Sequence, residues 1–211
     1  MITLLVSIAS AHAPQAAPWL AEQIAKPELF APAFAGAARR LGRAPIRAED
    51  AAKITAAGLR WPVCGVDECG RAALLLAVAR ARPADHHVEL VRHLIRHGEL
   101  RERQAVLRVL AAMPEPARFV ELAIDACRTN VQGVFEAIAC DNDFPARHFP
   151  DPAWHQMVLK ALFIGAPLAR VAGVAGRTTP ELLRMVDAFA SERRAAGRPV
   201  PADVALVRRD P

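Results

Sequence analysis

The sequence predicts an all-α fold, and three observations support this prediction. Apolar residues make up 53% and charged residues 23% of the 211-residue chain, which is too hydrophobic and too weakly charged for intrinsic disorder. No segment of six residues alternates apolar with polar side chains, which argues against a β-sandwich or β-barrel. Most of the 17 prolines fall between segments whose apolar positions recur with helical spacing, where they separate many short helices.

Apolar spacing and capping residues predict five helices in the first half of the chain. Pro27 separates the first two, and Gly42 follows two arginines at the end of the second, as is usual at a helix C-terminus. Asp67 is the expected N-cap of the fourth helix, whose sequence AALLLAVA is apolar on almost every side and predicts a central position. The predicted ranges are residues 18–25, 32–41, 48–57, 67–81 and 85–97.

From Glu99 onward the predicted helices follow one another in pairs joined by short turns. Short antiparallel helices of this kind are typical of α-solenoids, in which each pair buries its apolar face on the next. The fold class expected is therefore an all-α, HEAT-like α-solenoid or right-handed helical array of about ten short helices. The ranges in this half are residues 99–113, 117–128, 131–140, 152–165, 167–175 and 180–196.

Composition divides the chain into three regions. Residues 1–15 form an atypical N-terminal segment, residues 16–196 a single helical domain, and residues 197–211 a proline-rich tail expected at the surface. The first residues resemble a secretory signal only in part, because no Lys or Arg precedes the apolar run. No run approaches the ~18 apolar residues of a membrane span. We therefore expect a cytoplasmic protein, while a signal peptide and a mis-assigned start remain open.

The histidines and cysteines do not predict a metal site. His93 and His97 are four residues apart, but their helix face is opposite the apolar stripe and is expected in solvent without side chains to orient the ligands. Cys127, Cys140 and His148 lack the close ligand pairs of structural zinc sites. We expect no metal and no cofactor, and buried thiols at all four cysteines. A redox role remains open for those that flank the glycine loop, Cys64 and Cys69.

Residues 125–160 place polar side chains among apolar ones. Glu136 lies on a strip of small residues, and Lys160 follows Gln156 by one helical turn in an otherwise apolar helix. A buried ammonium needs a partner, for which Glu136, Asp125 and Asp141 are the candidates. Such a network more often fixes helix register than performs chemistry, so both interpretations remain open.

The loop that precedes this helix carries Arg147 and His148 between two prolines, where they are candidates for binding an anion or transferring a proton. The candidate catalytic residues are Glu136, His148 and Lys160. The candidate ligand-binding residues are Arg128, Asn130, Glu136, Asn142, Arg147, His148, Gln156 and Lys160.

The net charge of +5 leaves nucleic acid as a possible partner, although the 27 basic and 22 acidic residues are interspersed. HEAT-like folds can hold a nucleic-acid backbone with a basic face. An ordinary solvated face with ion pairs between successive turns is the favoured interpretation of this basic stretch. It contains Arg92, Arg96, Arg101, Arg103 and Arg108.

Residues 98–163, from GELRERQ to LKALF, resemble the EboA family, and so do the segments RRLG, GVDECGRAALLLA and ASERRAAGRPVPADV. The resemblance implies a helical EboA-like domain encoded in a cluster of secondary metabolism. The cluster also encodes a UbiA-like prenyltransferase, a dehydroquinate-synthase-like cyclase and a TIM-barrel metal-dependent enzyme. In cyanobacteria it is associated with moving a pigment precursor toward the periplasm. The resemblance supplies no catalytic residues.

Three classes of function are consistent with these observations. The first is a non-catalytic binding or scaffold protein of a biosynthesis or precursor-export pathway. Its partners would be other proteins of the ebo cluster or a small-molecule intermediate. The second is an enzyme of the same pathway that uses Glu136, His148 and Lys160 as acid, base or Schiff-base amine. The third, a HEAT-like nucleic-acid-binding protein, is the least favoured.

Overall fold

The computed structural model describes residues 1–208, and within them all regular structure is helical, which confirms the all-α prediction. None of these helices combines the length and the hydrophobicity needed to cross a bilayer. The α-helices are Ile2–His12 (α1), Ala17–Ala25 (α2), Phe30–Leu41 (α3), Ala48–Ala56 (α4), Val66–Ala81 (α5), Asp85–His97 (α6), Leu100–Val109 (α7), Val120–Cys127 (α8), Gln132–Ala139 (α9), Phe144–His148 (α10), Asp151–Ile164 (α11), Pro180–Ala195 (α12) and Val204–Val207 (α13).

Three of these helices differ from the sequence prediction. Helix α1 lies in the segment assigned as atypical, while α10 and α13 are single turns, too short to show an apolar period. The helix predicted over residues 167–175 is wrong. That stretch contains the 3₁₀ turn Leu168–Arg170 and then Gly173 at φ +82°, a conformation that ends a right-handed helix.

The chain divides into two compact units, Met1–Leu122 and the residues from Ala123 onward. The first unit is organised around α5, which is buried along nearly its whole length and contacts α1, α2, α3 and α7. Leu5 and Ile8 of α1 are among the side chains of its core. This packing differs from the predicted solenoid, in which each helix contacts mainly its neighbours in the chain. The reason is that α5 is apolar all round and must be covered on every side.

The first turn of α5 carries a buried network of charges. Asp67 is fully buried and accepts hydrogen bonds from Nε (2.9 Å) and Nη2 (2.5 Å) of Arg101 and from Nη1 of Arg71 (2.5 Å). Glu68 accepts from Arg108 Nη1 (2.6 Å) and from the backbone N–H of Gly65 (2.7 Å). Asp67 is therefore not the N-cap predicted from the sequence. Gly65 occupies that position, and Asp67 joins α5 to α7.

Position 65 has too little free space for a side chain, which favours glycine there. A Cβ on Gly65 would lie 2.6 Å from Arg101 Nη2 and 2.7 Å from Asp67 Oδ1, both of which are fixed by their mutual ion pair. Any other residue would push these groups apart. The start of α5 therefore depends on a residue without a side chain.

A second buried carboxylate, Asp50, connects α1 to α4. Its oxygens bind Lys53 (2.8 Å), His12 (3.0 Å) and Arg47 (3.0 Å). The hydrogen bonds from Lys53 and then from His12 hold the pKa of Asp50 well below its usual range, although burial alone would raise it. The charged form of Asp50 therefore stabilises this part of the first unit.

In the second unit, Arg177 fixes the single turn of α10. Its guanidinium group donates to the carbonyl oxygens of Pro145, Ala146 and Phe149 at 3.0–3.1 Å. It also lies 4.8 Å from the ring of the buried Trp154 in α11. The last four carbonyl groups of an α-helix have no hydrogen-bond donor within the helix. Here one cation binds three carbonyl groups in and just after α10.

The predicted surface tail is partly anchored in this unit. Val204 and Val207 of α13 are buried, and Asp203 accepts a hydrogen bond from the Leu168 N–H (2.7 Å). Residues 209–211 of that tail lie outside the described residues. The domain boundaries given above stay a prediction.

We expect Asp67→Asn to lower the free energy of unfolding by about 3–5 kcal/mol, because it leaves the buried Arg71 with only the more distant carboxylate of Glu102, at 4.0 Å. Asp85→Asn is the matched control, since Asp85 is 91% exposed and pairs with Arg118 only at the surface. It should cost less than about 0.5 kcal/mol. Urea unfolding followed by circular dichroism measures both, and equal losses would contradict a special role for the buried network.

Asp50→Asn should lower the free energy of unfolding at neutral pH, and this difference from the parent protein should disappear in acid. A carboxylate whose pKa is lowered by folding stabilises the protein above its unfolded pKa of about 4, and this contribution disappears as the pH falls. The difference in unfolding free energy between variant and parent should therefore narrow as the pH is lowered from about 5 to 2. A difference that stays constant across this range would show that Asp50 is not stabilised in its charged form.

Candidate ligand-binding groove

A groove of about 560 Å³ lies between α11 and α12 in the second unit. It is open to solvent, and most of the side chains along it are apolar. Its lining residues are Asn130, Gln156, Leu159, Lys160, Phe163, Ile164, Arg184, Met185, Ala188, Phe189 and Glu192.

Each of the two helices contributes one face at the spacing i, i+3, i+4, i+7. In α11 this face runs from Gln156 to Phe163, and in α12 it runs from Met185 to Glu192. The opposite faces are buried, with Trp154 and Val158 in α11 and Val186 in α12. The groove is therefore formed by the outer faces of helices that the core holds in place.

Phe163 is the most distinctive side chain of the groove. It is 71% exposed, whereas most large apolar side chains of the chain are buried. Phe189 and Met185 lie on the facing helix and are half-buried. An aromatic ring at the mouth of an apolar groove is a surface that a ligand can cover.

Lys160 supplies a positive charge to the lining of this groove. Its Nζ donates to the carbonyl oxygens of Cys127 and Thr129, both at 2.6 Å, and lies 5.2 Å from the Phe135 ring. These carbonyls close the C-terminus of α8, where a cation is favoured by the helix dipole. An ammonium group has three N–H donors, and the two carbonyls use two of them.

Lys160 forms no ion pair with any of its three candidate partners, Glu136, Asp125 and Asp141. Glu136 instead accepts hydrogen bonds from Gln132 (2.8 Å) and Arg170 (3.0 Å), and Arg170 also binds Asp141 (2.7 Å). Helical spacing placed Lys160 and Glu136 in apolar surroundings but could not identify their partners. Backbone carbonyls satisfy the lysine, and an arginine from a 3₁₀ turn satisfies the carboxylate.

Three of the eight predicted ligand-binding residues come together in the groove, namely Asn130, Gln156 and Lys160. The other five have different surroundings. Arg128 is exposed and pairs with Asp125 (3.5 Å), and Arg147 pairs with Asp143 (3.2 Å).

Asn142 and His148 have local roles in and around α10. Asn142 is buried, donates to the Ala137 carbonyl (3.0 Å) and accepts from the Phe144 N–H (2.9 Å) at the start of α10. The His148 ring packs on Phe144 with centroids 4.8 Å apart. Burial and the Arg147 charge lower the pKa of His148. Neither side chain lines the groove.

The catalytic set Glu136, His148 and Lys160 is thus not assembled around one space. Only Lys160 lines the groove, and its ammonium group is held by backbone carbonyls rather than aligned with a base. Burial raises the pKa of the neighbouring Cys127 thiol to about 12 despite the positive charge of Lys160, which disfavours the nucleophilic thiolate form.

Three of the five arginines proposed for nucleic-acid contact bind carboxylates. Arg92 pairs with Glu89, while Arg101 and Arg108 bind the buried carboxylates of α5. Their charges are already neutralised, and two of them hold α7 in place. This basic stretch therefore does not form the continuous basic face that a nucleic-acid backbone needs.

Within residues 1–208, no three His, Cys, Asp or Glu side chains lie close enough together to hold a metal ion. All four cysteines are buried free thiols, and the Sγ atoms of Cys64 and Cys69 are 3.1 Å apart. Burial raises the pKa of the Cys64 thiol well above its usual value.

The α12 half of the groove was missed by sequence reasoning, which concentrated on residues 125–160. The signal was present in the sequence: Met185, Ala188, Phe189 and Glu192 have the same spacing as the α11 face. The stripe of α12 that faces the core, which includes Leu182 and Val186, has a similar pattern. Periodicity alone does not tell which of two apolar stripes a second helix covers.

A double-mutant cycle tests the contacts of Lys160. Lys160→Met should lower the free energy of unfolding by about 2 kcal/mol, because two carbonyls at the end of α8 lose their donor. Glu136→Gln should cost less than about 1 kcal/mol, because Arg170 keeps Asp141. The two losses should add to within about 0.5 kcal/mol, since the residues share no partner. A coupling energy above about 1 kcal/mol between the two substitutions, measured by thermal or urea unfolding, would indicate that Lys160 and Glu136 do form an ion pair.

Comparison with known families agrees with the resemblance seen in the sequence. A family model described as metabolite traffic protein EboA matches residues 5–207, nearly the whole chain. No curated protein and no solved structure matches the chain. Because the matched region includes both units, the chain as a whole belongs to the EboA family.

Proposed function

We propose that this protein is a non-catalytic carrier that holds a small-molecule pathway intermediate in the groove between α11 and α12. The observation that carries the proposal is the exposed Phe163 in an open groove that Lys160 also lines. The family description, metabolite traffic, fits a role in handling a small molecule without transforming it. The two backbone carbonyls that bind the Lys160 ammonium group support a binding role over the enzyme alternative, because they hold it as a fixed cation.

The lining of the groove indicates the chemistry of its occupant. The apolar side chains suit an apolar body, which would bury the surfaces of Phe163, Phe189 and Met185. Lys160, whose ammonium group is bound by carbonyl oxygens and not by a carboxylate, suits an anionic or carbonyl head group, whereas Arg184 is already paired with Glu181 at 2.6 and 2.9 Å. Glu192 disfavours a second negative charge in its vicinity. The best occupant is thus an elongated apolar molecule with one acidic or carbonyl end.

Membership of the EboA family suggests the pathway in which such a carrier would act. A carrier of this kind would act in secondary metabolism and would receive its ligand from, or deliver it to, enzymes encoded in the same cluster. We propose the cytoplasm as its location and those enzymes as its partners. A scaffolding role toward them would use surfaces outside the groove.

Dodecanoate is a suitable probe, since it combines an apolar chain with one carboxylate. Isothermal titration calorimetry should show one site, and Phe163→Ala should weaken binding by about tenfold or more, because it removes an aromatic surface that the ligand covers. Val131→Ala is the matched control, since Val131 is also exposed but does not line the groove. Equal affinities for parent and Phe163→Ala would contradict the proposed site.

The head-group assignment has its own test. Lys160→Met should weaken dodecanoate binding but leave the affinity for dodecanol unchanged, because only the carboxylate interacts with the ammonium charge. Arg128→Gln removes a positive charge from an exposed position outside the groove and should change neither affinity. If both variants weaken dodecanoate equally, long-range attraction rather than a defined site accounts for binding.

A further inference from the structure

We propose a second ligand site in the first unit, where a cavity between α2 and α3 binds a small molecule that carries a phosphate group and a planar ring. The cavity measures about 530 Å³. Arg39 and Arg40 would hold the phosphate, while Trp19 would contact the ring. This site lies outside the groove that we assign to the carried intermediate.

Two guanidinium groups line this cavity without a carboxylate to neutralise them. Within the described residues, neither Arg39 nor Arg40 forms an ion pair, and no Asp or Glu lines the cavity. The acid of α2, Glu22, is bound to Lys26 at 2.7 Å. Two positive charges facing one open space attract an anion that brings two negative charges.

A phosphate monoester matches these arginines better than a carboxylate does. Its dianionic form neutralises both guanidinium groups, and its three terminal oxygens can accept parallel pairs of N–H donors from each. A carboxylate has one charge and two oxygens. Both arginines lie in the last turn of α3, where the helix end carries a partial negative charge. Their positive charges compensate that partial charge, which would otherwise oppose an anion.

The remaining lining supplies room and an aromatic surface. Trp19 of α2 is half-buried and contributes an indole ring, which binds planar groups by stacking. Gln23, one helical turn later, adds an amide that can donate or accept a hydrogen bond. At Gly36 a Cβ atom would have no neighbour within 4 Å, so the space in front of the helix is open.

Gly36 provides a test that does not threaten the fold. Its φ is not in the left-handed region, and it lies inside α3, where a side chain improves helix propensity. Gly36→Met should therefore fill the cavity without lowering the melting temperature. Gly36→Ala is the matched control, because one methyl group leaves most of the space free.

Phenyl phosphate, inorganic phosphate and benzoate are the probes, measured by calorimetry on the full chain at low salt. Phenyl phosphate should bind most tightly. Gly36→Met, Arg39→Gln and Arg40→Gln should each weaken its binding by about tenfold or more. Gly36→Ala should bind it like the parent, and so should Arg43→Gln, which removes a nearby exposed charge outside the cavity.

Several results would overturn the proposal. Unchanged binding in Gly36→Met would place phenyl phosphate elsewhere, and equal losses in Arg43→Gln and Arg39→Gln would indicate diffuse attraction. Benzoate binding as tightly as phenyl phosphate would refute the phosphate assignment, and inorganic phosphate binding as tightly would refute the ring contact. Phe163→Ala separates the two sites, because it should weaken dodecanoate and leave phenyl phosphate unaffected.

Discussion

The first unit depends on the burial of α5, a helix that is covered on every side and yet begins with two carboxylates. Acidic residues are favourable in a first turn, but Asp67 and Glu68 have lost almost all solvent and need cations in contact. Arg101 and Arg108 of α7 provide them. The same interaction that neutralises the carboxylates holds α7 against α5, and the crowding it causes leaves space only for Gly65.

This constraint explains which parts of the fold could be predicted from sequence. Helix α6 has the predicted ends, Asp85 and His97, because an acidic start, a clear apolar stripe and a glycine stop are all local signals. Helix α10 could not be predicted, since its single turn is held by Arg177, a residue distant in sequence. The covering of α5 by α1, α2, α3 and α7 could not be predicted, because periodicity identifies an apolar face but not the helix that covers it.

Sequence patterns had the same limit for individual residues of the candidate site: they indicated burial or polarity but not the contacting partner. An isolated lysine in an apolar helix correctly indicated that Lys160 needs buried partners. The three candidate partners, Glu136, Asp125 and Asp141, were all wrong, because sequence reasoning considers charged side chains and overlooks the unpaired carbonyls at a helix end. Asn130 and Gln156 were identified for their polarity, whereas Phe163 was not singled out, because an apolar residue in an apolar helix gives no sign in the sequence that it is exposed.

An open groove is better suited to transfer than to storage. Covering Phe163 and its apolar neighbours supplies binding energy of about 25 cal/mol per Å² of buried surface, part of which is lost to ordering the ligand. In the carrier that we propose, part of an occupant would stay accessible to the next protein, because the groove is not enclosed, and release would need no opening of the core. Lys160 is fixed by two carbonyls before any ligand arrives, so its charge is oriented in advance. Moderate affinity with little reorganisation is what a carrier requires, since a ligand held too tightly dissociates too slowly to be handed on.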